Sequence, residues 1–192
     1  MFDESFREAV RNQHYYRPNN YELPSDLDFG WKEVIWMLDS HPDEKRTLRE
    51  SKLGFVLTAM EQRSSTPRFV KDIIKELKSV FPDNNITAHF FGGFTNKSKS
   101  FEIHRDTMDV LYLQILGNVE WSMWEPNNSD YYKDDSKKIL NKEEANLSYT
   151  SIFKPGNMIW VPRGKYHLVE PYNSRLGVSF GIEGKIDPSS YI

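Results

Sequence analysis

The periodicity of apolar residues changes once along this chain, near residue 85. Before that point the spacing is helical. Phe2, Phe6 and Val10 fall on one face of a short amphipathic helix, and Pro18, Asn19, Asn20 and Pro24 break any regular element after it. Trp31, Val34, Ile35 and Leu38 predict a helix with Asp26 or Asp28 as its N-cap and Pro42 as its limit. Leu48, Leu53, Val56, Leu57 and Met60 predict another, although Gly54 lies inside it. Ser65-Thr66-Pro67 is a start signal, a hydroxyl cap with proline in the first turn. Phe69, Val70, Ile73, Ile74, Leu77 and Phe81 mark one face of the helix it begins, and Pro82-Asp83-Asn84-Asn85 ends it.

After Asn85 the pattern is that of short strands. Ile86 to Phe91 is extended, Gly92-Gly93 forms a turn or bulge, and Thr95 to Ser100 is a polar loop. Ile103 to Ile115 and Val119 to Trp124 predict two strands joined at Gly117-Asn118. Residues 126–146 are too polar and too long for a hairpin connection, so they predict a surface excursion or a lid. Leu147 to Phe153, Met158 to Pro162, His167 to Pro171 and Leu176 to Ile182 complete the set. Strands so evenly spaced predict a sandwich or barrel. The expected class is α+β: a helical extension over residues 1–85 packed on a β-structure over residues 86–192.

Composition narrows the chemistry. A chain of 192 residues suits one domain with an extension. A net charge of -3 gives no general nucleic-acid binder. No cysteine is present, so disulfides and thiolate metal sites are excluded. The N-terminal MFDESFREAVRNQ has no apolar signal core, and no run is long enough to span a membrane, so a cytoplasmic protein is expected. Sequons at Asn85, Asn96, Asn127 and Asn146 read as chance in an Asn- and Ser-rich chain.

His104 and Asp106 are separated by one residue, which on a strand places both on one face. With a second histidine they make a 2-His-1-carboxylate iron site, and the only histidine downstream is His167. The competing reading is a strand-end histidine bonded to its neighbouring aspartate. His167 closes the run KPGNMIWVPRGKYH, in which Pro-Gly turns, an apolar strand and Pro-x-Gly precede the histidine. Together with HRD and GNVEW, that run resembles the cupin and JmjC-type oxygenases, including the ribosomal-protein hydroxylases, over roughly residues 86–182. The resemblance implies a double-stranded β-helix, or jelly-roll, barrel. It implies Fe(II) on His104, Asp106 and His167, with 2-oxoglutarate and dioxygen consumed to hydroxylate a protein side chain or a small molecule. A metal-dependent cupin enzyme without 2-oxoglutarate, or a non-catalytic binding protein on that scaffold, stays open. A homodimer through the N-terminal helices is compatible with this architecture.

In the JmjC-like group a Lys or Arg on the strand after H-x-D holds the far carboxylate of 2-oxoglutarate. Here the matching position is Val119. Other branches place the cation on the strand after the distal histidine, where Arg175 lies. If 175–182 is extended, Arg175, Gly177, Ser179 and Gly181 share one face and Leu176, Val178, Phe180 and Ile182 the other. Arg175 offers a bidentate clamp and Ser179 a hydroxyl. Tyr112 and Gln114 share parity with His104 and Asp106 on an unbroken strand, so either can reach the cosubstrate. His89 is expected to line the pocket, and His14 and His41 to lie at the surface. Arg105, Lys97 and Lys99 are charges near the mouth, and Lys165 belongs to an exposed turn.

Overall fold

The computed structural model describes residues 2–23, 29–43, 46–49, 53–99 and 101–184. Helix α1 (Glu4–Arg11) starts at Asp3, whose carboxylate accepts the Phe6 N–H at 2.9 Å. Helix α2 (Trp31–Ser40) starts at Gly30, whose N–H donates to Glu33 at 2.8 Å. The expected caps Asp26 and Asp28 lie outside the described residues. Helix α3 (Arg68–Val80) has the predicted apolar face but not the predicted cap: the Thr66 hydroxyl donates to the Met60 carbonyl instead. His41 is a correction, being 3% exposed, with Nε2 3.0 Å from the Thr58 carbonyl oxygen.

The helix expected over 48–60 is absent. That segment supplies β1 (Arg46–Arg49) and β2 (Gly54–Leu57), followed by a short 3-10 turn at Met60–Gln62. All four residues of β2 are buried. A strand buried on both faces has no period of its own, so a few apolar residues at accidental helical spacing mimic a helix.

The remaining strands are β3 (Asn85–Gly93), β4 (Ile103–His104), β5 (Asp109–Leu116), β6 (Val119–Pro126), β7 (Ile139–Leu140), β8 (Ala145–Phe153), β9 (Met158–Val161), β10 (Tyr166–Pro171) and β11 (Arg175–Glu183). They form two antiparallel sheets, ordered β1-β2-β3-β11-β5-β9 and β7-β4-β10-β6-β8. Among the described residues no ladder joins one sheet to the other. The N-terminal arm lies at the β9 edge, where Tyr16 and Trp160 exchange backbone bonds of 3.0 and 2.7 Å. The same arm sends Arg17 to the Ser151 hydroxyl on β8 at 2.9 Å, so it spans the seam between the sheets. Among the described residues no helix is long and apolar enough to cross a membrane.

Apolar packing occurs in three layers. The helices cover the outer face of the larger sheet, where Phe6, Val34, Phe69, Ile73 and Phe81 meet Leu111, Trp160, Val178 and Phe180. Between the sheets lie Tyr112, Val119, Trp121, Met123, Phe153, Ile159 and Val161. On the outer face of the smaller sheet, Tyr166 and Leu168 meet Leu140, Tyr131 and Tyr132. The excursion after β6 therefore covers the back of the smaller sheet. It is held there by Arg105, which donates to the carbonyls of Tyr132 and Asp134 at 2.7 Å each.

β11 separates two of these layers. Leu176, Val178, Phe180 and Ile182 enter the helix-side core. The alternate face carries Arg175, Gly177, Ser179 and Gly181, three of which line a cavity between the sheets. A Cβ at Gly177 would stand 1.9 Å from the Tyr112 hydroxyl oxygen, and one at Gly181 would stand 2.4 Å from the Met108 sulfur. The hydrogens at these positions make room for side chains that cross from neighbouring segments.

Candidate metal centre

The single strand expected over 103–115 is broken. Ile103–His104 belongs to the smaller sheet and Asp109–Leu116 to the larger, so the chain crosses between sheets at 105–108. Asp106 thus lies in the crossing, two residues beyond the strand that ends at His104. The two side chains still converge. His104 is the register partner of His167 on β10, and their rings are 4.3 Å apart. Asp106 Oδ1 is 3.9 Å from His104 Nε2, and Oδ2 is 3.6 Å from His167 Nε2. One donor atom from each residue lies within 4.8 Å of the others.

These separations are too long for hydrogen bonds. They leave space for an ion, with direct ligand bonds of about 2.0–2.2 Å for nitrogen and oxygen donors. The competing reading, a histidine simply bonded to its neighbouring aspartate, is not what the geometry contains. His104 Nδ1 is 2.9 Å from the Glu102 carbonyl, and His167 Nδ1 is 3.0 Å from the Lys165 carbonyl. A carbonyl only accepts, so each Nδ1 carries the proton and each Nε2 presents a lone pair toward Asp106. His167 also stacks on Trp121 at 5.3 Å and 20°, while Phe101 stands 4.9 Å from the His104 ring.

Burial, then the neighbouring His104, lowers the His167 pKa from 6.5 to about 4, against the opposing pull of Asp106 and the Lys165 carbonyl. A depressed histidine pKa means that the unfolded chain takes up a proton sooner than the folded one. The metal-free protein is therefore expected to lose stability as pH falls from 6.5 toward 4, and to show no dependence from this group above 6.5. Thermal melts of the metal-free protein across that range check it, with His167→Gln expected to flatten the slope.

The cavity behind the donors has a volume of about 150 Å³. Its larger-sheet wall carries a row across three strands, with Ser179 in register with His89 on one side and Tyr112 on the other. Arg175 is 1% exposed and enters the same cavity. It lies at the end of the fold remote from His167, because β10 (Tyr166–Pro171) carries the chain away from His167 and a short turn delivers it to Arg175. Val119 is the register partner of Pro171 and is fully buried at that same end. Gln114 does not line the cavity. It accepts the Tyr112 hydroxyl at 2.5 Å and donates to the carbonyls of Leu116 and Gly117 at 2.6 and 3.1 Å. It therefore fixes the tyrosine from behind. Lys99 is bound to Glu102 at 2.6 Å, and neither it nor Lys97 lines the cavity.

A family model described as the JmjC domain matches residues 66–187. The chain belongs to the JmjC-domain family. The match extends the resemblance read over 86–182 back to the start of α3. A curated relative, the bifunctional lysine-specific demethylase and histidyl-hydroxylase NO66 of Dictyostelium discoideum, is 28% identical over 72 residues, covering 36% of this chain and 14% of NO66. Among solved structures, Escherichia coli YcfD aligns with a TM-score of 0.52 at 16% identity, over 69% of this chain and 34% of YcfD. YcfD in complex with cobalt and 2-oxoglutarate aligns with a TM-score of 0.54 at 14% identity, over 69% of this chain and 32% of that one. At such identities the likeness shows the fold. The JmjC chain spans about a third of the solved relatives and a seventh of the curated one.

One pair that positions the donors of this JmjC chain escaped the reading of the sequence. Asp109 is fully buried at the start of β5. It accepts the Arg163 backbone N–H at 3.0 Å and the guanidinium through Nε at 2.9 Å and Nη2 at 2.5 Å. The next residue, Gly164, donates to the Asp106 carbonyl at 2.9 Å. These bonds join the crossing that carries Asp106 to the turn that delivers His167. The available signal was an acid opening an otherwise apolar strand, DVLYLQIL. Asp109→Ala leaves the Arg163 donors without their carboxylate and is expected to cost roughly 3 kcal/mol. Chemical denaturation would measure that loss. A change under 1 kcal/mol would show that the pair is dispensable.

Proposed function

We propose that this chain is an Fe(II)- and 2-oxoglutarate-dependent oxygenase that hydroxylates its substrate. The observation that carries the reading is the convergence of His104, Asp106 and His167, with both Nδ1 atoms committed elsewhere, at one end of a cavity that holds Arg175 at the other. In this reading the two sheets are the halves of a double-stranded β-helix, residues 86–192 carry the catalytic site, and residues 1–85 add the helices together with β1 and β2, which widen the larger sheet.

The residues present suit both groups. Two imidazoles and one carboxylate are the donor set of a non-haem iron site, with positions left for cosubstrate and dioxygen. The cavity wall also carries the buried Arg175 guanidinium, which suits an anionic occupant. Bound iron supplies a coupled oxidation: one oxygen atom of O₂ enters a substrate C–H bond, the other enters succinate, and the 2-oxo acid leaves as succinate and CO₂. The chain's own part is to hold and orient. Arg175 clamps the far carboxylate, the Tyr112 hydroxyl stands beside it, and Ser179 lines the path between that carboxylate and the metal. Val119 offers no charge, so the cation comes from the larger sheet rather than from β6. Phe101 and Trp121 pack on the His104 and His167 rings and shield them from water.

Proteins called a histidyl-hydroxylase and a ribosomal oxygenase are among its relatives and structural neighbours, which favours a protein side chain over a free metabolite as substrate. Anaerobic addition of 2-oxoglutarate to the Fe(II) protein is expected to produce a visible metal-to-ligand charge-transfer band, and air to release succinate. Absence of both sinks the reading.

A further inference from the structure

The walls of the cavity also bear on what the substrate can be, given the iron and 2-oxoglutarate reading. Among the described lining residues the only carboxylate is Asp106 and the only guanidinium or ammonium is Arg175. On that reading the first is committed to the metal and the second to the cosubstrate. No fixed charge remains to pair with a charged substrate group. Burying such a group unpaired costs several kcal/mol.

The wall beside His104 is apolar, built from Phe91, Phe101, Met108 and Val110. Phe101 is 42% exposed and stands 6.2 Å from Phe91, which places it at the entrance. His89 interrupts this wall. It lies on β3 and its ring is partly exposed to the cavity; Nδ1 is shielded, and neither ring nitrogen has a hydrogen-bond partner among the described residues, which leaves Nε2 as the nitrogen a ligand can reach. Burial favours its uncharged form, against the pull of Glu61, Glu183 and Asp106. A ligand that covers a polar atom without pairing it pays for the lost hydration. A purely apolar ligand would bury Nε2 unpaired, and an ion would add a cost of its own.

We propose that the substrate inserts an uncharged, mostly apolar group bearing one hydrogen-bonding function, and that His89 receives that function. Selectivity then operates in both directions, since ions lack a counter-charge and hydrocarbons leave His89 unpaired.

Three probes of one size test this on the full chain loaded with cobalt(II) and 2-oxoglutarate: isobutyramide, isobutylammonium and isobutyrate. Broadening of the probe proton signals by the cobalt reads their binding. Isobutyramide is expected to bind at least tenfold more tightly than either ion. His89→Leu should weaken it about tenfold, the worth of one neutral buried hydrogen bond, with cobalt and 2-oxoglutarate affinities unchanged. His89→Gln, which keeps a polar end, should recover most of the loss. Either ion binding as tightly as the amide overturns the proposal without recourse to any variant. So does an amide affinity indifferent to His89→Leu. If wild-type protein takes up no cobalt, or cobalt without 2-oxoglutarate, the cosubstrate reading fails first and separately, and the proposal falls with it.

Discussion

His167→Ala is expected to empty the chain of iron. Metal analysis should fall from one iron per chain to none, and turnover by on the order of 10³-fold or more, because the chemistry belongs to the ion. His104→Ala should do the same. Asp106→Ala is the most telling of the three. Its side chain is 38% exposed, so its removal leaves packing nearly intact, whereas His167 is buried against Trp121. A folded Asp106→Ala protein without iron would tie the loss to coordination. Iron retained at full stoichiometry in His167→Ala would mean that the metal sits elsewhere.

The second large effect concerns Arg175. Arg175→Met preserves most of the side-chain volume and removes the charge. If the guanidinium holds the far carboxylate, the KM for 2-oxoglutarate should rise roughly 100-fold or more, since charge-assisted bonds contribute about 1.5–3 kcal/mol each. The iron content should stay at one per chain. Arg175→Lys should recover part of the affinity but not all, because a point charge does not reproduce a bidentate fork. Adding Val119→Lys to Arg175→Met would put the cation on the strand where the resemblance to the JmjC-like group leads one to expect it, and return some affinity with it. Steady-state kinetics with 2-oxoglutarate varied would read all three variants, and metal analysis the iron content. An Arg175→Met protein with an unchanged KM would put the carboxylate anchor elsewhere, and turnover that needs no added 2-oxoglutarate would favour a cupin enzyme that does without it.

The parts of this molecule governed by strict local periods were legible before the structure. The alternation over 175–182 did assign Leu176, Val178, Phe180 and Ile182 to the helix side and Arg175, Ser179 and Gly181 to the cavity. The face of α3 was equally plain. The donors were found for a partly mistaken reason. His104 and Asp106 converge although no strand contains both, because the crossing from one sheet to the other returns Asp106 to the same side. That crossing depends on Asp109 and Arg163, 54 residues apart, and nothing local announces such a pair. The broken strand also removed the parity argument for Gln114, which faces Tyr112 and the turn at Gly117. Around β2, the misreading came from a segment buried on both faces, where burial erases the alternation that would have marked a strand. The long polar connection gave no hint of its destination, because its few aromatic residues, Tyr131 and Tyr132, reach the smaller sheet's outer face only through tertiary packing.

The two glycines of β11 differ in what they permit. At Gly177 the neighbour is a buried tyrosine already bonded to Gln114, so an added methyl has nowhere to push it. At Gly181 the neighbours are the end of a methionine, which can swing aside, and the Thr87 hydroxyl at 2.7 Å, which can turn to another rotamer. One strand therefore offers evolution a fixed stop and an adjustable one. On the proposed reading, the end that grips the cosubstrate is closed to drift, while the end that meets the substrate can be resized a methyl at a time. Divergence in what such chains modify would then accumulate at the mouth, with the iron and its cosubstrate left untouched.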